Sequence, residues 1–234
     1  MDRLTRKELK TDKFALEVQH SVEYFSQHRQ FVTRWGGLAL ALVVVVGAVY
    51  FYRSYQHSVR QADLHSAMLI ANAVVGPSQS EYVTTFPTAA DRYKAVDKAF
   101  GDIERKYSGS DEAAIAEFFL GTNAADQGKM DEAEKHFKTA VDSGRTPYVS
   151  VAKLSLAQIY ASKGKLADGE KLIQSVIDHP TILVSKDEAT IALGELLAPT
   201  DPQRARKLLE PLRNSPRSSI SKVALSVLGD IGQK

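Results

Sequence analysis

Six histidines, His20, His28, His57, His65, His136 and His179, are where metal or general-base chemistry would first be sought. None stands in an H-E-x-x-H pattern or in a close group with carboxylates at ligand spacing, so no side chains are set to converge on an ion. The carboxylates Asp131, Glu132 and Glu134, next to Lys135, fall at the start of a predicted helix, where negative charge complements the exposed N–H dipoles. They read as a solvated helix start rather than an acid and base pair. Gly128-Lys129 lacks the glycine spacing of a phosphate loop, is followed by Met130 instead of Ser or Thr, and has no strand before it. No G-x-S-x-G elbow singles out a serine nucleophile. Cysteine is absent, which removes disulfides, thiolate ligands and a cysteine nucleophile, and suits an oxidising compartment. A non-enzymatic chain is expected, with no catalytic residue, no cofactor, no metal and no small-molecule substrate.

The elements around these residues begin with an apolar run. From Gly36 to Tyr52 seventeen residues pass without a charge, and at ~1.5 Å rise per residue the run approaches the ~30 Å hydrocarbon core of a bilayer. Phe31, Trp35, Tyr50, Phe51, Tyr52 and Tyr55 flank it, with Arg34 and Arg53 just outside, as rings and snorkelling cations settle at interfaces. A cleaved signal peptide would need small residues where Tyr50, Phe51 and Tyr52 stand. A retained transmembrane helix over 35–52 is therefore expected. Seven Lys and Arg lie in 1–34 against two in 53–86, which predicts a cytoplasmic tail. The tail itself, over Thr11–Val32, spaces Phe14, Val18, Val22 and Phe25 as one stripe of an amphipathic helix.

The 182 residues after the span carry 23 Lys plus Arg and 23 Asp plus Glu, so the formal net charge of +2 belongs to the tail. An electrically neutral domain without clustered cations does not suit a nucleic-acid groove. Residues 53–90 form a connecting segment. In it Ser58–Val75 looks helical, and Gly76–Ala90 concentrates Gly, Pro, Ser and Thr into a long loop. Residues 91–234 resolve into helices at 91–107, 111–127, 130–142, 149–162, 166–178, 186–197, 202–212 and 218–231. Gly and Pro mark the junctions and strand signals are lacking. The domain is expected to be all-α.

An internal repeat organises these helices. The small residues Gly121, Ala157, Gly194 and Gly229 recur at 36, 37 and 35, and the bulky residues Phe100, Phe137, Ile173 and Leu209 at 37, 36 and 36. Gly128-Lys129 and Gly164-Lys165 add a turn register, also 36 apart. The small series should let a first helix approach its neighbour closely, and the bulky series should belong to the second helix of each pair. These positions resemble the tetratricopeptide repeat, best in Leu120, Gly121, Gly128, Ala133, Phe137 and Ala140. A second copy follows in Leu156, Ala157, Tyr160, Gly164, Ile173 and Val176. Glu117 and Lys153 depart from the family's Trp, Gly169 from its second-helix Ala, and the first pair is divergent.

Stacked helical hairpins of this kind make a solenoid with a concave face. First-helix spacing offers as the candidate protein-binding groove Phe118, Thr122 and Asp126, then Leu154, Gln158 and Ser162, then Ile191 and Glu195. The lining has no Lys or Asn of the kind that repeat domains use to clamp a C-terminal carboxylate, so extended apolar or basic segments are the expected ligands.

The charged tail with its E-Y-F-S-Q-H-R-Q-F wording, the single span and the tetratricopeptide-like domain together resemble the bacterial ancillary SecYEG translocon subunit family. That resemblance implies an inner-membrane protein with a periplasmic domain near the Sec channel, passing emerging polypeptides to periplasmic chaperones. The competing expectation is a tetratricopeptide scaffold for another envelope or division complex, without translocon contact.

Overall fold

The computed structural model describes residues 29–77, 84–144 and 146–232. The expected tail helix lies, up to residue 28, outside the described residues. The chain divides into two compact units, 1–58 and 59–234.

The first helix, α1, runs from Arg29 to Ala71 without a break, 43 residues or roughly 65 Å at 1.5 Å per residue. The sequence suggested two helices here, the span and a separate one from Ser58. No Gly or Pro stands between Arg53 and Val59 to part them. The serine hydroxyls fold back onto the helix instead, Ser58 Oγ donating to the Ser54 carbonyl at 3.1 Å. Over the first unit the apolar side chains stay exposed, Leu42 at 65% and Phe51 at 73%. By length and composition the helix is long and apolar enough to cross a membrane.

In the second unit, the end of α1 from Val59 onward packs on α2 (Ala89–Lys106) and α3 (Asp111–Asp126) through Leu64, Ala67, Val96, Phe100, Ile103, Ala116 and Leu120. Val74–Val75 (β1), expected as the end of the helix from Ser58, and Thr85–Phe86 (β2), expected within the long loop, form a two-stranded parallel clip, Val74 opposite Thr85. The β-branched residues that follow the helix stop at Ala71 suit extended backbone. Gly76 N–H closes the clip on the Phe86 carbonyl at 2.9 Å.

Three hairpins follow. They are α3 with α4 (Met130–Ser143), α5 (Tyr148–Ser162) with α6 (Leu166–Asp178), and α7 (Lys186–Leu197) with α8 (Pro202–Leu209); α9 (Ser218–Gly232) ends the stack. Local chemistry sets their ends. Ser110 accepts from Ala113 N–H, Ser185 and Glu188 form a reciprocal capping box, and Asp201 accepts from Arg204 N–H. The hairpin turns bend at Gly128 and Gly164, at φ of 75° and 76°, a conformation that costs side-chain-bearing residues. Beyond Leu209 the expected helix tightens into a 3₁₀ turn, Glu210–Leu212, because Pro211 has no N–H to continue the α-helical ladder.

The registers are packing contacts. A Cβ on Gly121 would sit 2.8 Å from the Phe137 ring, and one on Gly194 2.7 Å from Leu209, so bulky second-helix residues lie directly on first-helix glycines. In the middle hairpin the sizes are exchanged. Ala157 holds the first-helix position, and Gly169 comes so close that a Cβ would meet the Ala157 carbonyl oxygen at 2.8 Å. What reads in sequence as a departure at Gly169 is thus the compensation for Ala157. A further register escaped the sequence reading: Ala116, Ala152, Ala189 and Ala224 are all fully buried. Gly229, the fourth of the small series, has nothing within 4 Å of its absent side chain.

Gly169→Ala should therefore lower unfolding stability by about 1–3 kcal/mol through overpacking against backbone. Gly101→Ala, which meets only the flexible end of Arg105, should be neutral or gain up to about 1 kcal/mol. Urea midpoints of the two variants check the contrast.

Candidate functional site

The eight groove residues fall on equivalent faces of α3, α5 and α7, first helices that touch one another in order along the stack. Phe118, Thr122 and Asp126 follow one another at four-residue spacing on α3, as do Leu154, Gln158 and Ser162 on α5. Gln158, Ser162, Asp126 and Glu195 are exposed, while Phe118, Thr122 and Leu154 are half-buried. Ile191 is 6% exposed and belongs to the same apolar cluster that Leu154 packs against. It supports the face from beneath and does not line it.

Phe118 is packed among other rings. Its ring lies 5.4 Å from Phe119, 5.9 Å from Phe137 and 5.3 Å from Tyr148, so three helices meet in one aromatic cluster. The polar members are tied more lightly. Thr122 and Ser162 return their hydroxyls to the helix, donating to the carbonyls of Phe118 and Ile159. Asp126 pairs with Arg92 of α2 at 3.8 Å. Loss of water to the surrounding protein pushes the Glu195 carboxyl above its usual range. The face is thus apolar at one end, neutral in the middle and acidic at Asp126 and Glu195.

Sequence reasoning missed the polar contacts that hold α3, the helix carrying half of the aromatic cluster. Glu112 is 1% exposed at the start of α3. Arg60 Nε donates to it at 3.1 Å and Gln61 Nε2 at 2.8 Å, both from the end of α1. Burial alone would raise its carboxyl. The α3 backbone N–H, Gln61, Ser110 and Arg60 outweigh that and hold it below the usual glutamate value. Asn123, 4% exposed, donates to the Tyr93 carbonyl at 3.0 Å and to Asp97 at 2.6 Å, fastening α3 to α2. The signal was present: Ile159, Leu196 and Ile231 occupy the corresponding places in later repeats, so a lone amide there marks a specific bond. Glu117, where the family favours Trp, pairs with His136 of α4 at 2.6 Å, and Lys153 in the next hairpin donates to Ser175 at 2.9 Å.

Among the described residues no group of three or more His, Asp or Glu is placed to hold a metal ion. An open groove of about 620 Å³ between the end of α1 and α2, lined by Asp63, Ile70, Asp102 and Lys106 among others, contains none of the eight candidates. It carries its own closed polar set: Tyr107 and Lys106 both donate to Asp63 and hold that carboxyl below its usual range.

A stack of helical hairpins with a half-apolar, acid-leaning face on its first helices defines a scaffold that holds other proteins. The chain belongs to the family described as the tetratricopeptide repeat-like domain, whose profile matches residues 29–181. Domains of this family are protein-binding helical scaffolds and typically not catalysts. No curated protein matches the chain significantly. The matched region opens at the first described residue of α1, so the apolar helix lies inside the family unit, while α7 to α9 extend the same registers beyond it.

Glu112→Gln should cost about 2 kcal/mol at neutral pH, because Arg60 loses its buried partner. Since the folded Glu112 value is lowered, its contribution is complete above the ordinary value of 4.5 and vanishes as pH falls through the folded value. The gap between wild type and variant in chemical denaturation should be constant above pH 4.5 and close below it.

Proposed function

We propose that this chain is a single-pass bacterial inner-membrane protein, an ancillary subunit of the Sec translocon whose repeat domain passes emerging polypeptides to periplasmic chaperones. Its tail is cytoplasmic and its repeat domain periplasmic. The observation that carries the reading is the continuity of α1. An apolar helix with its side chains exposed precedes a neutral protein-binding stack in the chain, and the family match takes in both. The excess of Lys and Arg in the tail supports the orientation. The Glu23–Trp35 wording supports the translocon assignment over an envelope or division scaffold. In this reading the face from Phe118, Thr122 and Asp126 through Leu154, Gln158 and Ser162 to Glu195, with Ile191 beneath it, receives extended apolar or basic segments.

Affinity purification from gently solubilised membranes should recover Sec channel subunits and periplasmic chaperones with the tagged chain. Recovery of other envelope proteins with neither Sec subunits nor chaperones would contradict the assignment. Thr122→Lys with Gln158→Lys should weaken capture of basic or apolar segments about tenfold while leaving the melting temperature unchanged. Unchanged capture would show that binding occurs on another face.

A further inference from the structure

A half-enclosed cavity of about 210 Å³ lies where the ends of α2, α3 and α4 meet, lined by Glu104, Ser110, Glu117, Thr139 and Ser143 among others. Among the described residues no Lys or Arg lines it. Its polar atoms are acceptors. Thr139 and Ser143 spend their hydroxyl protons on the carbonyls of Lys135 and Ala140. At the start of α3, Ala113 N–H donates to Ser110 Oγ and Ala114 N–H to the Ser110 carbonyl, so these donors are occupied. Glu117, its side chain 12% exposed, pairs with His136 through Oε2, which leaves Oε1. Glu104 is half-buried, and its carboxylate has no hydrogen bond or ion pair among the described residues. α4 ends at Ser143, which turns the negative end of its dipole toward the same space.

The next hairpin shows what such a place holds. Thirty-six residues on, Lys153 stands at the position of Glu117 and Ser175 at that of Thr139. Ala116 and Ala152, both fully buried, fix that register. Lys153 Nζ donates to Ser175 Oγ at 2.9 Å, while Ser175 gives its own proton to the Leu172 carbonyl, as Thr139 does to that of Lys135. In α5 and α6 the repeat thus fills this position with an ammonium of its own. In α3 and α4 a carboxylate replaces that ammonium, and the space is open.

We propose that this cavity takes the ammonium of a lysine side chain from a bound polypeptide. An ammonium brings three donors and no acceptor, which matches a lining of carboxylate oxygens and hydroxyl lone pairs. Its bonds to carboxylates are about twice as strong as neutral ones. The aliphatic stem of the lysine can lie on Ala113 and Ala114, which line the same cavity and are buried. The cavity shares no residue with the face from Phe118 to Glu195, so the inference stands apart from the translocon reading and from what that face binds.

The chain has no native cysteine, so a fluorophore on Lys138→Cys, exposed beside Thr139, reports on the cavity. In the full chain in detergent at low salt, acetyl-Gly-Lys-Gly-amide should give a saturable signal, and the norleucine counterpart should bind about tenfold more weakly or less. Glu104→Gln, which removes no internal bond, should weaken the lysine peptide about tenfold with an unchanged melting temperature. Glu117→Lys, which supplies the ammonium from within as Lys153 does, should abolish the response while circular dichroism stays helical. No saturable response to the lysine peptide, an equal response to norleucine, or a response unchanged in Glu104→Gln would overturn the inference. Saturation by spermidine without a response to the lysine peptide would assign the cavity to a free polyamine and overturn it equally.

Discussion

The repeat stack rests on close approach of paired helices where one member gives up its side chain. Phe137 on Gly121 and Leu209 on Gly194 leave no room for a methyl group, and Gly169 against the Ala157 carbonyl leaves none on the opposite helix. Each hairpin thereby carries its glycine on one helix and its alanine on the other, Gly121 with Ala133, Ala157 with Gly169, Gly194 with Ala205. Interiors packed at crystal-like density allow few other solutions. The period of the repeat, the order of the first helices and the continuity of the face they present all follow from that constraint.

On this frame the polar residues decide where the stack is fixed to what precedes it. Glu112 and Asn123 are buried on α3 and take their partners from the end of α1 and from α2. Later first helices use apolar residues at the Asn123 position. The first repeat is divergent in sequence because its opening helix is the end of a long apolar helix. Its attachment accordingly depends on directed hydrogen bonds as well as on area. A buried carboxylate held by several donors fixes one geometry and penalises others, which apolar contact alone does less sharply.

Most of the helical architecture was legible in the residues. Leu166–Asp178 and Lys186–Leu197 coincide with the observed α6 and α7, because glycine turns, proline stops and Ser185 punctuate them. The continuity of α1 was not legible, since Arg53 to His57 marks a change of polarity that looks like a boundary while nothing there breaks a helix. The β1–β2 clip was hidden because two-residue strands leave no alternation to detect. In the groove, spacing placed the eight residues on equivalent faces but could not separate half-buried Leu154 from buried Ile191. That difference depends on how deeply neighbouring hairpins interlock, a tertiary quantity. Glu112 was missed for the same reason: an acidic residue in a first helical turn is ordinarily solvated.

The compartment of the repeat domain decides which proteins its face can meet, and the cysteine-free chain allows it to be read directly. Ile182, in the loop before α7, is 89% exposed. A single cysteine there, treated in intact spheroplasts with a membrane-impermeant maleimide, should label as fully as in lysed cells, whereas one in the tail at Ser21 should label only after lysis. Labelling of the Ser21 site alone in intact spheroplasts would place the repeats in the cytoplasm and contradict the proposed role in export.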